Sequence, residues 1–241
     1  MKLSMAACSD VGLRRQANED SFAIAQDLGL YVVADGMGGH KAGKVASEMA
    51  TEHALSAIRA LQGATASPAE KLRQAVSCAN REIHETAQGN SELSGMGTTL
   101  VAILATPERV ALAHVGDSRA YLIRGGRIRQ LTDDHSLVGE LLRRRQISEA
   151  DAREHPHRHV LTRALGVAPA AQPDLAELTP APGDTFVLCS DGLTTHLRDG
   201  EILELTSRDP DLQKSCDTLV ACANQRGGVD NVTVVLVRLE D

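Results

Sequence analysis

The sequence predicts an α+β fold built mainly from antiparallel sheets. Segments with strand composition and segments with helical spacing occur in blocks along the 241 residues rather than in strict alternation, and such blocks favour α+β over a doubly wound fold. Gly125 and Gly126 form a two-residue turn between two strand-like runs, which is typical of an antiparallel hairpin. Because no internal repeat, low-complexity segment or linker interrupts the sequence, we expect a single domain over residues 1–241.

The N-terminal part of the chain predicts short strands followed by two helices. Residues 1–36 contain apolar runs separated by turns, whereas the apolar residues of 42–61 recur at helical spacing. Ser67 and Glu70 have the spacing of a capping box, and Pro68 stands at the first helical position between them. A second helix therefore begins at this point.

The remainder of the chain predicts more strands, two further helices and an insertion. Residues 134–165 are polar, rich in arginine and histidine and only weakly periodic, so we expect an insertion there rather than core. Helices are expected near 199–207 and 211–224. The strand-like segments are 99–105, 109–115, 119–123, 128–131, 185–190 and 232–239.

Several strand-like runs end on an acidic residue, most often followed by a glycine. Carboxylates at strand ends sit where a buried sheet opens to solvent, and when several converge their repulsion must be relieved by protons or cations. Oxygen-only ligands select magnesium, manganese or calcium over zinc or copper. The pattern therefore predicts a metal-dependent active site, provided that the strands share one edge. The acidic residues are Glu19, Asp20, Asp35, Asp117, Asp191 and Asp230.

Arg15 stands five residues before Asp20 and extends this chemistry toward phosphorus. Two-metal sites with bridging carboxylates create a hydroxide nucleophile and stabilise in-line displacement at phosphorus. A planar guanidinium suits a phosphate dianion. Taken alone, however, Arg15 is more typical of a surface salt bridge, and one Asp-Gly pair is more typical of a turn.

Composition argues against several classes of function. The formal net charge of -7 disfavours non-specific nucleic-acid binding, and the 2% aromatic content leaves few platforms for base stacking. The five cysteines include no C-x-x-C pair, so we expect free thiols in a reducing, cytoplasmic compartment rather than zinc or disulfides. No 18-residue apolar stretch occurs, so we expect no membrane span.

The acidic residues belong to short motifs that stand in a characteristic order. These motifs are Asp10-x-Gly12-x-x-Arg15-x-x-Asn18-Glu19-Asp20, Asp35-Gly36-Met37-Gly38-Gly39-His40, Gly97-Thr98-Thr99, Gly116-Asp117-Ser118-Arg119, Ser190-Asp191-Gly192 and Asp230-Asn231. The ordered set resembles the PPM family of metal-dependent, type 2C serine/threonine protein phosphatases. The resemblance covers about residues 9–237 and is greatest to the compact, single-domain bacterial members that oppose Hanks-type kinases.

This resemblance implies a central β-sandwich of two antiparallel sheets flanked by helix pairs, with two to three divalent ions, manganese or magnesium, in a cleft at one end. By this resemblance Asp35 would bridge two ions, Asp117 and Asp191 would hold a third, and Arg15 would bind the phosphate. The full implied ligand set is Glu19, Asp20, Asp35, the Gly36 carbonyl, Asp117, Asp191 and Asp230.

The source of the leaving-group proton stays open at this point. Animal members of the family often carry histidine directly after the Asp-Gly pair, whereas Met37 stands there in this chain, as in bacterial members. His40 lies nearby in sequence and could donate the proton. A helix-entry histidine bonded to backbone would explain His40 equally well, and a water on a metal is a third source.

The function implied by the resemblance is hydrolysis of phosphoserine and phosphothreonine on proteins by a metal-activated water, by a monomer that opposes a cognate Ser/Thr kinase. One alternative is a pseudophosphatase that binds phosphoproteins without turnover. Loss of a metal carboxylate would mark that case, and all are present. The other alternative is a metal-dependent phosphodiesterase or nuclease, which the acidic net charge disfavours.

Residues 134–165 match the family's variable flap in position. The segment includes Arg143, Arg144 and Arg145 and three alternating histidines of residues 155–159. A solvated helical insertion explains these charges simply. Alternatively, a mobile cationic flap would steer acidic or phosphorylated substrate segments toward the metals. The histidines alternate across a proline and share no helical face, so we expect no zinc site among them.

Overall fold

The computed structural model describes residues 2–39 and 41–240, and these residues form eleven strands and seven helices. The strands are β1 (Lys2–Asp10), β2 (Asp20–Ala25), β3 (Leu30–Met37), β4 (Gly97–Thr98), β5 (Leu100–Ala105), β6 (Val110–Val115), β7 (Arg119–Arg124), β8 (Arg127–Gln130), β9 (Asp174–Leu178), β10 (Thr185–Cys189) and β11 (Val232–Glu240). The helices are α1 (Lys41–Ala60), α2 (Pro68–Gly89), α3 (Leu137–Arg143), α4 (Glu149–Glu154), α5 (Asp191–Thr194), α6 (Asp199–Arg208) and α7 (Leu212–Gln225).

The strands form two antiparallel sheets. One sheet has the order β1-β11-β10-β7-β8, and the other has the order β2-β3-β5-β6-β9, with β4 paired to the end of β3. Helices α1 and α2 cover the second sheet, and α6 and α7 cover the first. The predicted α+β fold, a sandwich of antiparallel sheets flanked by helix pairs, is confirmed.

Side chains of the central strands alternate between two apolar layers. On β3, Tyr31 and Val33 lie between the two sheets, whereas Leu30 and Val32 face the helices. Strand β11 alternates in the same way. Because both faces are covered, these strands are apolar at consecutive positions instead of at every second one, which explains the uninterrupted apolar runs in the sequence.

Small residues on the buried face of α1 allow the helix to lie close to β2 and β3. Ala46, Ala50 and Ala54 are buried there, and Gly43 sits at the same face near the helix start. The second helix begins as its sequence predicts, because the Ser67 side chain accepts a hydrogen bond from the backbone N–H of Glu70 at 3.2 Å. Neither these helices nor any other in the described ranges is long and apolar enough to span a bilayer.

Strand β9 and helix α5 are among the short elements that were not predicted from the sequence. Strand β9 pairs with β6 at the edge of its sheet, and its side chains are half-buried or exposed, so the apolar signal of a strand is weak. Helix α5 is a single turn directly after β10, too short to show any periodicity. The predicted insertion at 134–165 contains α3 and α4, and the Ser148 side chain caps α4 with a complete capping box.

His135 joins the start of this insertion to the body of the protein. Its backbone N–H donates to the Gly116 carbonyl at 2.9 Å, and its Nδ1 accepts from the Gly116 N–H at 3.2 Å. With Nδ1 accepting, Nε2 carries the proton and donates to Asp174 Oδ2 at 3.1 Å. The His114 ring stacks on it at 4.5 Å between centroids. Because both ring nitrogens of His135 have partners, the group of His114, His135 and Asp174 serves as a structural hydrogen-bond network.

We expect His135 to make stability depend on pH. Burial lowers the pKa of His135 below its ordinary value of 6.5, against the opposing effect of the Asp174 hydrogen bond. Below about pH 6.5 the unfolded chain therefore binds a proton that the folded chain excludes, so the free energy of unfolding falls as the pH decreases. His135→Gln cannot take up this proton. Its unfolding free energy, measured by urea titration between pH 7 and 5, should vary less with pH than that of the wild type.

The control for this experiment is His157→Gln, because His157 is an exposed histidine of the same segment. That variant should keep the pH dependence of the wild type. Equal pH dependence in all three proteins would show that His135 is not responsible for the loss of stability in acid.

Candidate active site

Asp20 and Asp35 face each other across the first hairpin. Their Cα atoms are partners in the pairing of β2 with β3, at the end where β2 begins and β3 ends. Burial raises the pKa of Asp35 well above its ordinary value, and the charges of Asp20, Asp191, Asp117 and Asp230 raise it further, in that order. Carboxylates that are distant in sequence are therefore close enough in space to repel one another.

Antiparallel pairing explains how these carboxylates converge. In the sheet that does not contain this hairpin, Asp191 follows β10 by two residues, and Asp230 precedes β11, the antiparallel neighbour of β10, by two residues. Asp117 follows β6 by two residues, at the end where β5 begins. The end of one strand and the start of its neighbour lie at the same edge, so the predicted convergence depends on strand starts as well as strand ends.

Ser190 connects the two sheets at this edge. Its Oγ donates to Asp20 Oδ2 at 2.7 Å and accepts from the Thr233 N–H at 3.0 Å. The other carboxylate oxygen, Asp20 Oδ1, is buried and has no hydrogen-bond partner among the described residues. Burial, and then the charges of Asp191 and Asp230, raise the pKa of Asp20, against the lowering effect of the Ser190 hydrogen bond. An unpartnered oxygen in a set of buried carboxylates fits a hard cation such as manganese or magnesium.

Two threonines fix the backbone of Asp35. Thr99 Oγ1 accepts from the Asp35 N–H at 2.9 Å, and the Thr99 N–H donates to the Asp35 carbonyl at the same distance. Thr98 Oγ1 also donates to that carbonyl, at 2.8 Å. The backbone polar groups of Asp35 are thereby bonded within the protein, which leaves its side chain for the cluster.

Asn231 holds the N-terminal loop against β11. Its Oδ1 accepts from the Glu19 N–H at 2.8 Å, and its Nδ2 donates to the carbonyls of Val11 and Ala17 at 2.9 and 3.0 Å. In the sequence, the residues of these two carbonyls precede and follow Arg15. A single buried amide therefore positions both Glu19 and the loop that carries the arginine.

Two glycines allow helix α1 to start against the cluster. A Cβ atom on Gly36 would collide with the Gly43 carbonyl and the Glu19 carbonyl, and one on Gly43 would collide with the Glu19 carboxylate. The Gly36 N–H donates to the Glu19 carbonyl at 3.1 Å. The sequence singled out Gly36 but not Gly43, although an isolated glycine within a helical pattern is a signal for close packing.

Arg15 lies at the rim of the cluster. Its Nη2 donates to Asp230 Oδ2 at 2.7 Å, and its side chain remains half-exposed. The hydrogen bond to Asp230 is the chief reason that its pKa is raised further. A guanidinium has five N–H donors, so this one keeps donors for an anion that approaches from solvent. The interpretation of Arg15 as a mere surface pair is incomplete, because its partner belongs to the carboxylate cluster.

A cavity of about 440 Å³ extends from the cluster under the residues of the insertion. Asp117 and Asp191 line it together with Arg153, Arg158 and His159. His159 Nδ1 lies 4.0 Å from Asp191 Oδ2. Burial, followed by the charges of Asp191 and Asp134, raises the pKa of Asp117 well above its ordinary value.

Arg119 fixes the start of the insertion beside this cavity. It makes two parallel hydrogen bonds to the Asp134 carboxylate, at 2.8 and 2.6 Å, and a third to Tyr121 Oη at 3.1 Å. Bidentate pairing of this kind constrains both side chains. His40, the predicted proton donor, lies outside the described residues.

Cys8 and Arg14 have the Cys-x5-Arg spacing of a thiol-dependent phosphatase loop, but the structure does not support such chemistry. Cys8 lies within β1, paired with Val234, and not in a loop around an anion. Burial, together with the nearby Asp217, raises the pKa of its thiol above the usual value. A protonated thiol in a strand is a poor nucleophile.

Comparison with known proteins agrees with this geometry. A family model for protein phosphatase 2C matches residues 13–236. The serine/threonine phosphatase Stp of Listeria monocytogenes is 42% identical over 234 residues, which cover 95% of this chain and 93% of that protein. The crystal structure of the Mycobacterium tuberculosis serine/threonine phosphatase PstP/Ppp is similar with a TM-score of 0.90 at 39% identity, covering 99% of both chains.

A crystal structure of the PstP catalytic domain in complex with two manganese ions is also similar, with a TM-score of 0.88 and 38% identity over 99% of both chains. The resemblance inferred from the ordered motifs is thus confirmed at the level of sequence and of fold. The chain belongs to the protein phosphatase 2C family, the PPM serine/threonine protein phosphatases.

Proposed function

We propose that this chain removes phosphate from phosphoserine and phosphothreonine on proteins, with two to three divalent ions held by its buried carboxylates. The observation that carries the proposal is the convergence of these carboxylates around Asp35, with Asp20 Oδ1 buried and unpartnered in the described chain. We further propose that residues 1–241 act as one catalytic domain, which opposes a cognate Ser/Thr kinase as a cytoplasmic monomer.

The carboxylates are proposed to divide the ions among them. Asp35 would bridge two ions, Asp191 and Asp230 would complete the first, and Asp117 with Asp191 would hold a third. Glu19, Asp20 and the Gly36 carbonyl would serve the second. The raised pKa values of Asp35 and Asp117 support this assignment, because burial, and then the neighbouring carboxylates, disfavour their charged forms, and a bound cation would favour those forms.

The protein's own residues would bind and orient the substrate. Bound ions of this kind supply an activated water for attack at phosphorus. Arg15, anchored on Asp230 by one N–H group, would direct its remaining donors to the phosphate oxygens. Thr99 and Ser190 would keep Asp35 and Asp20 in place by the hydrogen bonds described above. The proton for the leaving alkoxide would come from His40 or from a water on a metal, and the choice between them stays a prediction.

The cavity under the insertion refines the flap hypothesis. Arg143 Nη1 donates to the Asp134 carbonyl at 2.9 Å, and Arg144 lies 3.8 Å from Glu140, so two members of the arginine run have local partners. The cavity that Asp117 and Asp191 line is lined by Arg153 and Arg158 instead. We therefore propose that these two arginines, and not the run, meet acidic or phosphorylated segments of the substrate.

Phosphate release should require a divalent ion. We expect hydrolysis of a phosphothreonine peptide to be lost in EDTA and restored by manganese or magnesium, and manganese to raise the melting temperature of the metal-stripped protein by binding the folded state. A bis-ester assayed in parallel should remain intact, which separates the monoesterase from a phosphodiesterase. Binding of the peptide without turnover would instead indicate a pseudophosphatase, and full activity after metal removal would contradict the metal mechanism.

Substitutions in the cluster should separate metal binding from phosphate binding. Asp35→Asn and Asp191→Asn each remove a proposed ligand of two ions. Because disturbing a mere outer-shell partner typically costs about 10–100-fold, we expect kcat to fall by at least that factor. Arg15→Ala should instead raise KM, since Arg15 meets the phosphate and does not activate the water. Steady-state kinetics on the phosphothreonine peptide measures both.

Two further variants complete this series. Asp27→Asn, which alters an exposed partner of Arg59, is the control and should leave kcat and KM unchanged. Asp117→Asn should lower turnover while the other two ions still bind. An unchanged KM in Arg15→Ala together with an active Asp191→Asn would contradict the assignment of roles.

Neutralising Arg153 and Arg158 to glutamine should weaken turnover of an acidic phosphopeptide more than that of a small aryl phosphate. The salt dependence of the peptide reaction should also flatten, because two cations no longer attract the substrate. The matched control neutralises Arg144 and Arg145, which keeps the same change in net charge. If neutralising Arg144 and Arg145 lowered phosphopeptide turnover more than neutralising Arg153 and Arg158, the arginine run would be the part that attracts the substrate.

A further inference from the structure

Two exposed apolar side chains flank the proposed phosphate-binding arginine. Leu13 lies two residues before Arg15, and Val229 directly precedes Asp230, which accepts the hydrogen bond from Arg15. The side chains of Leu13 and Val229 are 65% and 45% exposed. Scattered exposed apolar residues are ordinary. These two, however, lie near opposite ends of the sequence and each is next to a member of the same ion pair, Arg15–Asp230.

The backbone holds these two residues in one arrangement. The Leu13 N–H donates to the Gly228 carbonyl at 2.7 Å, and the Leu13 Cγ lies 2.9 Å from the position that a Cβ on Gly228 would occupy. Gly228 has a φ of 48°, a left-handed conformation that glycine adopts without strain. The Val229 N–H donates to His196 Nε2 at 3.4 Å. The Leu13 side chain therefore lies over the 227–229 loop instead of extending freely into solvent.

Gly12 completes this contact between the two loops. Its φ is 77°, and a Cβ there would collide with the Asp230 carbonyl. The loop that carries Leu13 and Arg15 therefore approaches the Asp230 backbone as closely as glycine permits. Such a contact fixes the apolar pair relative to the Arg15–Asp230 hydrogen bond.

We infer that Leu13 and Val229 form an apolar subsite for a side chain next to the phosphorylated residue of a protein substrate. The inference rests on the proposed function, in which Arg15 holds the phosphate. An extended peptide advances about 3.3–3.6 Å per residue, so a phosphate on Arg15 places the neighbouring residues of the substrate over the side chains that flank this arginine. Burying apolar area there would favour substrates with an apolar neighbour by the hydrophobic effect.

The occupant is a substrate segment because the backbone joins both residues to the proposed phosphate site, the Arg15–Asp230 pair. Leu13 shares its loop with Arg15, and Val229 is adjacent to a carboxylate of the cluster. Leu175, another exposed apolar residue, lies on β9 at the opposite edge of its sheet from β2, and is 40% exposed. It provides a control of the same residue type, away from the Asp20–Asp35 hairpin.

The test compares kcat/KM for phosphothreonine peptides that differ only in valine or asparagine immediately before or after the phosphorylated residue. The wild type should prefer valine at one of these two positions, by about three- to tenfold for partial burial of one side chain. Leu13→Ala with Val229→Ala should bring this ratio close to one. Leu175→Ala should keep the wild-type ratio. Because each ratio is internal to one protein, it does not depend on the overall activity of the variant.

Three outcomes would overturn the subsite. The first is a wild-type ratio near one at both positions, and the second is a double variant that keeps the wild-type preference. The third is a double variant that changes the sedimentation of the protein but not the ratio, since the apolar pair would then be a contact between two copies of the chain. Hydrolysis of a small aryl phosphate is measured alongside. If the wild type hydrolyses neither the phosphopeptides nor the aryl phosphate, the proposed function itself is overturned, and the subsite with it.

Discussion

The structure depends on the burial of several carboxylates at one end of a sandwich whose interior is apolar. Burial raises the pKa of these carboxylates and the like charges around them raise it further, as for Asp35 and Asp117. An arrangement of this kind is unfavourable for the folded chain alone. It persists because the two sheets are covered on both faces and packed on each other, so the strand termini that carry the carboxylates have little freedom to separate.

Neutral side chains hold the acidic ones in place. Thr99 bonds the backbone of Asp35, Ser190 bonds one oxygen of Asp20, and Asn231 bonds the backbone of Glu19. With the exception of Arg15 on Asp230, the bonds described at the cluster orient the carboxylates without cancelling their charge. That distinction matters chemically, because a carboxylate neutralised by a salt bridge is a weaker ligand for a cation than one that is merely oriented.

The sequence predicted the parts of this arrangement that local pattern determines. Apolar runs ending on Asp35 and Asp191, the two long helices and the Gly125-Gly126 hairpin all follow from spacing within a few residues, and the structure contains them. The order of the motifs identified the family, and through it the sandwich. Whether the strands share one edge could not be read from any single run, because that depends on pairing between distant segments.

What the sequence could not predict depends on partners far along the chain. Asn231 forms hydrogen bonds with residues about 210–220 positions away in the sequence. The small residues on the buried face of α1 can be explained only by their packing against β2 and β3. Strand β9 exists because β6 offers it an edge, not because its own residues alternate. The arginine run was the most conspicuous charge in the insertion, yet Arg153 and Arg158 are the arginines of the insertion that line the cavity with Asp117 and Asp191. A run of charged residues in the sequence shows that a surface is charged, but it does not show which site that surface is near.

The balance of charge in the cleft also sets an order of events. A phosphate dianion that approached the carboxylates alone would meet more negative charge than Arg15 can offset, since that guanidinium already donates to Asp230. Cations bound by the cluster reverse the sign of the field at its mouth. On the proposed function, the ions would therefore be in place before the phosphate binds, and Arg15 would hold a phosphate productively only once the carboxylates beside it were neutralised.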